Sequence, residues 1–195
     1  MADLVMRNFT TLDQKDLELV LSWRNSDRVR LMMENPEPIA LADHLAYVAR
    51  LPQMPDRRYY LVCIDELPIG VVDYTEMIPG AKRCNTGLYL GEGAPFGAGL
   101  LLEHVRYHGL YVRFGYPEAY SLMRKENDRY RKVLMRMFKV ETIRETEDYY
   151  EVWMPRERWQ VSWDENHGKI FSRFAIRRVV WKEPEGEIVS FEEKG

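Results

Sequence analysis

Four glycines, Gly91, Gly93, Gly97 and Gly99, fall within nine residues of one another. They follow a strand-like run, Thr86 to Leu90, and lead at once into an apolar helical pattern. Glycine reaches positive φ and lets the backbone come close to a ligand. A helix start adds N–H groups without intrahelical acceptors and the positive end of the helix dipole. The combination suits main-chain binding of a phosphate. The loop lies in mid-chain, after several strands, and that placement bears on which fold carries it.

The elements around the loop follow from pattern. Leu4 to Phe9 reads as a first strand. Thr10 to Asp13 offers caps for a helix whose apolar stripe is Leu17, Val20 and Leu21, running on toward Trp23 and Val29. Asn35-Pro36-Glu37-Pro38 breaks the chain, and Leu41 to Val48 reads as a second helix ended by Pro52 and Pro55. Arg58 to Ile64, Ile69 to Met77 and Asn85 to Leu90 form an antiparallel meander, with turns at Asp65 to Pro68 and Pro79-Gly80. After the glycines, Leu101, Val105, His108 and Val112 keep helical spacing within a helix over 97–114, which Gly115-Tyr116-Pro117 stops. Ala119 to Met123 is a short buried strand, 127–137 a helix, and 140–146 with 148–154 a hairpin. Pro155 to Trp159 reads as one helical turn.

The order argues against two nucleotide-binding folds. Rossmann and P-loop proteins carry their glycines after the first strand of a βαβ unit, whereas this chain carries them after a meander. Composition narrows the class further. The chain has 195 residues, 46% hydrophobic and 30% charged, the size and balance of a single well-buried domain. A net charge of -3 supplies no general attraction for nucleic acid. Cys63 and Cys84, the two cysteines, lie apart in apolar runs, so neither a disulfide framework nor a zinc site is indicated. His104 and His108 are four apart on one helix but lack a third ligand, and they read with His44 and His167 as structural or exposed; no metal is expected. Without a leader or membrane-spanning run, the expected location is the cytoplasm.

Three places resemble the GCN5-related N-acetyltransferase superfamily over residues 3–160. Ala94-Pro95-Phe96-Gly97-Ala98-Gly99-Leu100-Leu101 stands where that family has its R/Q-x-x-G-x-G/A pyrophosphate loop. Asn127 to Phe138 is similar to its N-x-x-x-x-x-x-Y-x-K-x-G-F segment. Trp23-Arg24-Asn25, Tyr59 to Val62 and Pro68 to Val71 resemble the ribosomal-protein type and, more closely, the type that acetylates an aminosugar in pseudaminic-acid biosynthesis. Tyr149 to Trp153 fits a late strand of that group. The departures are specific. Ala94 replaces Arg or Gln, Pro95 has no N–H, Leu134 falls at the usual Tyr, and Phe138 falls at the usual Gly.

The resemblance implies an α/β (α+β) fold, with a mixed, mostly antiparallel sheet flanked by helices and a splayed strand pair. It implies acetyl-coenzyme A as the acetyl donor. Backbone groups of Leu88 and Leu90 would hold the pantetheine like an added strand. Amides of Phe96, Gly97, Ala98, Gly99 and Leu100 would meet the pyrophosphate, and Asn127 would reach the pantetheine or adenosine. A backbone N–H near Leu88 to Leu90 would polarise the carbonyl. The amine must lose a proton, for which Asp73 and Glu76 are candidates on opposite strand faces. Glu76, sharing a face with Tyr74, is preferred over Asp73, against the ordinary reading of a solvated strand-end acid. Tyr130 and Ser121 are candidates to protonate the leaving thiolate, Tyr130 reading equally as a packed helix residue. Trp23, Arg24, Asn25 and Tyr74 are the acceptor-side candidates, the alternative for the first two being a core Trp and a surface ion pair. Arg30 and Arg50 are candidates for an acceptor diphosphate.

The expected acceptor is a small-molecule amine, a nucleotide-linked 4-amino-6-deoxy sugar. A protein N-terminus and a non-catalytic acyl-coenzyme A-binding module are the alternatives. Residues 1–160 form the expected catalytic domain and 161–195 an extension. There, 161–163 and 169–181 read as a hairpin about a turn at Asp164 to Gly168. Ile170, Phe174, Ile176 and Val180 would share a face that a partner subunit, in a homodimer, could cover. The acidic end, 183–194, reads as mobile.

Overall fold

A computed structural model describes residues 1–193. Strand β1 (Ala2–Asn8) is covered on both faces, so Leu4, Val5 and Met6 are buried in succession, and it leads through a 3-10 turn to α1 (Gln14–Asn25). Asp13 caps α1 by accepting the Asp16 N–H at 2.9 Å, as its residue type suggests. The apolar stripe stops with α1. Val29 belongs to a separate short helix, α2 (Asp27–Arg30), followed by α3 (Leu41–Arg50). The meander is β2 (Arg58–Ile64), β3 (Leu67–Thr75) and β4 (Arg83–Leu90). Helix α4 (Ala98–His108) follows the glycines and widens into a π-type turn over Gly109–Arg113. Next come β5 (Glu118–Arg124), α5 (Asp128–Phe138), β6 (Glu141–Glu145) and β7 (Tyr149–Pro155). The chain continues as α6 (Arg156–Arg173), β8 (Ile176–Glu183) and β9 (Gly186–Glu192).

One sheet holds these strands in the order β6-β7-β5-β4-β3-β2-β1-β8-β9. It is antiparallel except where β1 meets β8 and β4 meets β5. This is the mixed, mostly antiparallel sheet flanked by helices that the sequence implied. One face carries α4, α5 and α6 over Met6, Tyr60, Val72, Tyr74 and Trp181. The other carries α1 and α3 over Val5, Leu61, Cys63 and Val71. Helix α4 is buried on nearly every side between the sheet and α6, which is why charged Glu103 and Arg106 lie inside.

The C-terminal region corrects the sequence reading. Residues 156–173 are one helix of 18 residues, not a single turn followed by a strand. Trp159, Ser162, Trp163, Ile170 and Phe171 are its buried side chains, at intervals that follow a 3.6-residue period. The polar run Asp164 to Gly168, read as a turn, is largely its solvent side. The hairpin lies further on, in β8 and β9, so residues 186–192 are an ordered strand; Lys194 falls outside the described residues. Ile170, Ile176 and Val180 are covered by the chain itself, which removes that face as an argument for a dimer. No helix among the described residues is long and apolar enough to cross a membrane.

Candidate functional site

Strands β4 and β5 pair for only three residues, Arg83 with Glu118, Cys84 with Ala119 and Asn85 with Tyr120. Beyond that, β5 stays with β7 as far as Arg124, while β4 stays with β3 as far as Leu90. The two strands therefore part, and their facing edges carry unpaired main-chain groups. A cavity of about 370 Å³ occupies the gap, lined by Leu88, Leu90, Gly99, Ser121, Asn127 and Tyr130 among others.

A buried guanidinium sets the floor of the gap. Arg106 and Glu103 form an ion pair at 2.5 Å with 3% and 1% of their side chains exposed. Arg106 donates to the Thr86 carbonyl and hydroxyl, both at 3.0 Å, and to the Ser121 hydroxyl at 3.1 Å. Ser121 in turn donates to the Thr86 carbonyl at 2.5 Å. Arg106 thus bridges β4 and β5 at the point where they part, doing with a side chain what ladder bonds do below. Burial opposes its charge, but Glu103 more than offsets that and holds its pKa above the usual arginine value. Tyr130 donates to the other Glu103 oxygen at 2.6 Å. Burial, then the charge of Glu103, raises that phenol well above its ordinary value.

Asp73 lines the same cavity from β3. Burial raises its carboxyl to about 6, against the charge of Arg106 and the Gly87 amide. Gly87 stands opposite Asp73 on β4, and a Cβ there would lie 2.6 Å from Asp73 Oδ2. A glycine at this position leaves the carboxylate its place.

The glycine loop borders the cavity at the start of α4. Gly97 caps the helix at φ 93, a left-handed conformation that side chains resist. The Ala98 N–H bonds the Pro95 carbonyl and the Leu100 N–H the Gly97 carbonyl, both at 3.0 Å. Among the described residues, the amides of Phe96, Gly97 and Gly99 have no such acceptor. They are the donors this loop leaves for an anion.

No family model matches the chain. The chain is 34% identical over 84 residues to Acetyltransferase PseH of Campylobacter jejuni subsp. jejuni serotype O:23/36 (strain 81-176), a match covering 43% of this chain and 52% of that protein. It spans about half the length of the curated relatives it matches. The crystal structure of Campylobacter jejuni N-acetyltransferase PseH in complex with acetyl coenzyme A superposes with a TM-score of 0.61 at 25% identity, covering 78% of this chain and 99% of that one. FdhC, described as a nucleotide-linked sugar GNAT, superposes with a TM-score of 0.68 at 16% identity, covering 84% and 91%. The fold is that of the GCN5-related N-acetyltransferases.

In this acetyltransferase fold the expected residues divide. Leu88, Leu90, Gly99, Asn127, Ser121 and Tyr130 come together around the splay, with Leu134 in the same wall. Phe96 and Gly97 stand in the loop beside it, whereas the Ala98 and Leu100 amides are taken by helix-start bonds. Glu76 does not reach the cavity. It lies past the end of β3 at φ 57, and its carboxylate accepts the Tyr120 phenol. Tyr74, expected beside the acceptor, is in the core and donates to the Arg106 carbonyl at 2.8 Å. Asp73 faces the cavity, whereas Tyr74 belongs to the face that α4 covers and Glu76 lies beyond the strand, where alternation no longer holds.

Trp23 is buried, and its ring fills the space a Cβ on Gly91 would need. The Asn25 side-chain amide donates to the Ile39 carbonyl and accepts the Ile39 N–H, both at 2.8 Å, and Arg24 donates to the Asn35 carbonyl at 2.7 Å. Arg24 and Asn25 order the segment between α2 and α3, and none of the three lines the cavity. Arg28 does line it, donating to the Leu90 carbonyl at 2.8 Å. Arg30 is held by Asp27 and the Pro36 carbonyl. Sequence reasoning missed Arg106 and Glu103. Their signal was present, an acid and a base three apart in an otherwise apolar helix.

Proposed function

We propose that this chain is an acetyl-coenzyme A-dependent N-acetyltransferase whose acceptor is the primary amine of a small molecule, a nucleotide-linked 4-amino-6-deoxy sugar. The observation that carries the reading is the parting of β4 and β5 beside a loop with unbonded amides. The residues present fit coenzyme A. The β4 edge at Leu88 and the Leu90 N–H suit the amide-rich pantetheine arm, the Leu90 carbonyl being taken by Arg28, and the Phe96, Gly97 and Gly99 amides suit a pyrophosphate. When bound, the thioester supplies the acetyl group. The sugar acceptor is supported by the PseH and FdhC likenesses, which are stated of those proteins.

The chain's own residues divide the remaining work. Asp73 takes the proton that the amine must lose, since a carboxyl titrating at about 6 is mostly ionised at neutral pH and still basic enough to help. A free N–H of Leu88 or Leu90 polarises the carbonyl that is attacked. Ser121 is fixed between Arg106 and Thr86, and Arg106 places positive charge at the floor of the cavity. Tyr130 donates its hydrogen bond to Glu103 and holds its proton tightly, which makes it a poor acid for a thiolate and assigns it to holding the Glu103–Arg106 pair.

Thermal shift with acetyl-coenzyme A and with free coenzyme A tests binding. Thiol release with amino-sugar nucleotides, compared with N-terminal peptides, tests the acceptor. Stabilisation followed by release with the sugars supports the reading. Absence of any stabilisation overturns it, and release with peptides alone moves the acceptor to a protein N-terminus.

A further inference from the structure

The far end of α6 brings a cation to the glycine loop. Arg173 is the last residue of that helix and lies outside the stretch that carries the family resemblance. A Cβ on Gly97 would stand 3.1 Å from Arg173 Nε and 3.5 Å from its Cζ. The guanidinium also lies over the Phe96 ring, 4.9 Å from its centroid. Phe96 is 86% exposed, so the ring and the guanidinium stand together on the outside of the loop. Among the described residues no carboxylate lies within ion-pair distance of Arg173.

An arginine without an acid, stacked on an aromatic ring beside Gly97, whose amide is unbonded, is arranged to meet an anion. The loop itself offers no positive charge. Ala94 is apolar where the resembling pattern has Arg or Gln, and Pro95 has no N–H to give. A guanidinium presents a planar fork that matches phosphate oxygens. We infer that Arg173 belongs to the phosphate cradle, its guanidinium binding the diphosphate of coenzyme A alongside the amides of Phe96, Gly97 and Gly99. The chain thereby recovers from its C-terminal helix the charge that its loop lacks. This rests on the proposed coenzyme A binding.

Calorimetry and competition binding separate the possibilities, with coenzyme A, 3′-dephospho-coenzyme A and pantetheine as probes. Arg173→Gln should weaken coenzyme A and its dephospho form about tenfold each, the scale of one charge-assisted contact. Pantetheine, which has no phosphate, should bind Arg173→Gln and wild type alike. Arg173→Lys should fall between, and Ala94→Arg added to Arg173→Gln should restore most of the affinity. Because Arg173 is exposed, an unchanged melting temperature without ligand checks that the variants fold. Equal coenzyme A binding by wild type and Arg173→Gln overturns the inference. So does a loss seen with coenzyme A but not with the dephospho form, which would assign Arg173 to the 3′-phosphate. If wild type binds neither coenzyme, the proposed function itself fails, a distinct result.

Discussion

Replacing Asp73 with Asn should make this protein less active and more stable at neutral pH. The carboxyl titrates at about 6 in the fold against 3.8 as an ordinary aspartate, chiefly because it is buried. The sign follows from proton binding. Between those two values the folded chain binds the proton more tightly than the unfolded chain. Stability is therefore greatest at low pH for this group and is lost as pH rises toward 6. The gap of roughly two units corresponds to about 3 kcal/mol at neutral pH, as an upper value. In a chain of this length that amounts to a melting temperature higher by roughly 6–12 °C. Activity should move the other way. A base must be ionised, so the rate at saturating acceptor should fall about tenfold per pH unit below 6 in the wild type. Asp73→Asn should lose that limb and about two to four orders of magnitude in rate. The assays are thermal unfolding from pH 4 to 8 and initial thiol release over the same range. Wild-type turnover by Asp73→Asn would refute the role as base. A variant no more stable than wild type at pH 7 would refute the buried, destabilising carboxylate.

Other outcomes follow from the same geometry. Gly97→Asp should fold but bind no coenzyme A, since it puts a side chain at φ 93 and a negative charge among the phosphate-facing amides; calorimetry reads this directly. Arg106→Met should cost about 3–5 kcal/mol in urea unfolding, because it strands buried Glu103, and Arg106→Met with Glu103→Gln should recover a large part. Burial lowers His104 to about 3 and His108 to about 4, so both fold neutral. Their contribution is complete above the unfolded value of 6.5 and is lost as pH falls below it. Each should therefore remove about 2 kcal/mol by pH 5, and His104→Phe should flatten the acid side of the stability curve.

Much of the architecture was legible from local pattern. The β2 boundaries, the meander, the buried helix after the glycines and the β5–α5 succession follow from alternation, turn residues and 3.6-residue spacing. These signals lie within one element and its neighbour. The 156–173 helix was misread because Val161-Ser162-Trp163 looks like a strand and Asp164 to Gly168 like a turn. Only packing against α4 and α5 shows the period of Trp159, Trp163, Ile170 and Phe171.

The sequence alone determined that the glycine loop sits after a meander, and so outside a Rossmann or P-loop setting. Chain order is a one-dimensional fact, and it sufficed for that. The tertiary structure decided which face of β3 meets the cavity, with Asp73 in its lining and Glu76 outside it. It also decided that Arg106 spans the parting strands and that Arg173 reaches Gly97 from 76 residues away along the chain. Burial, charge pairing and contacts between distant segments depend on how elements stack, and no local spacing encodes them.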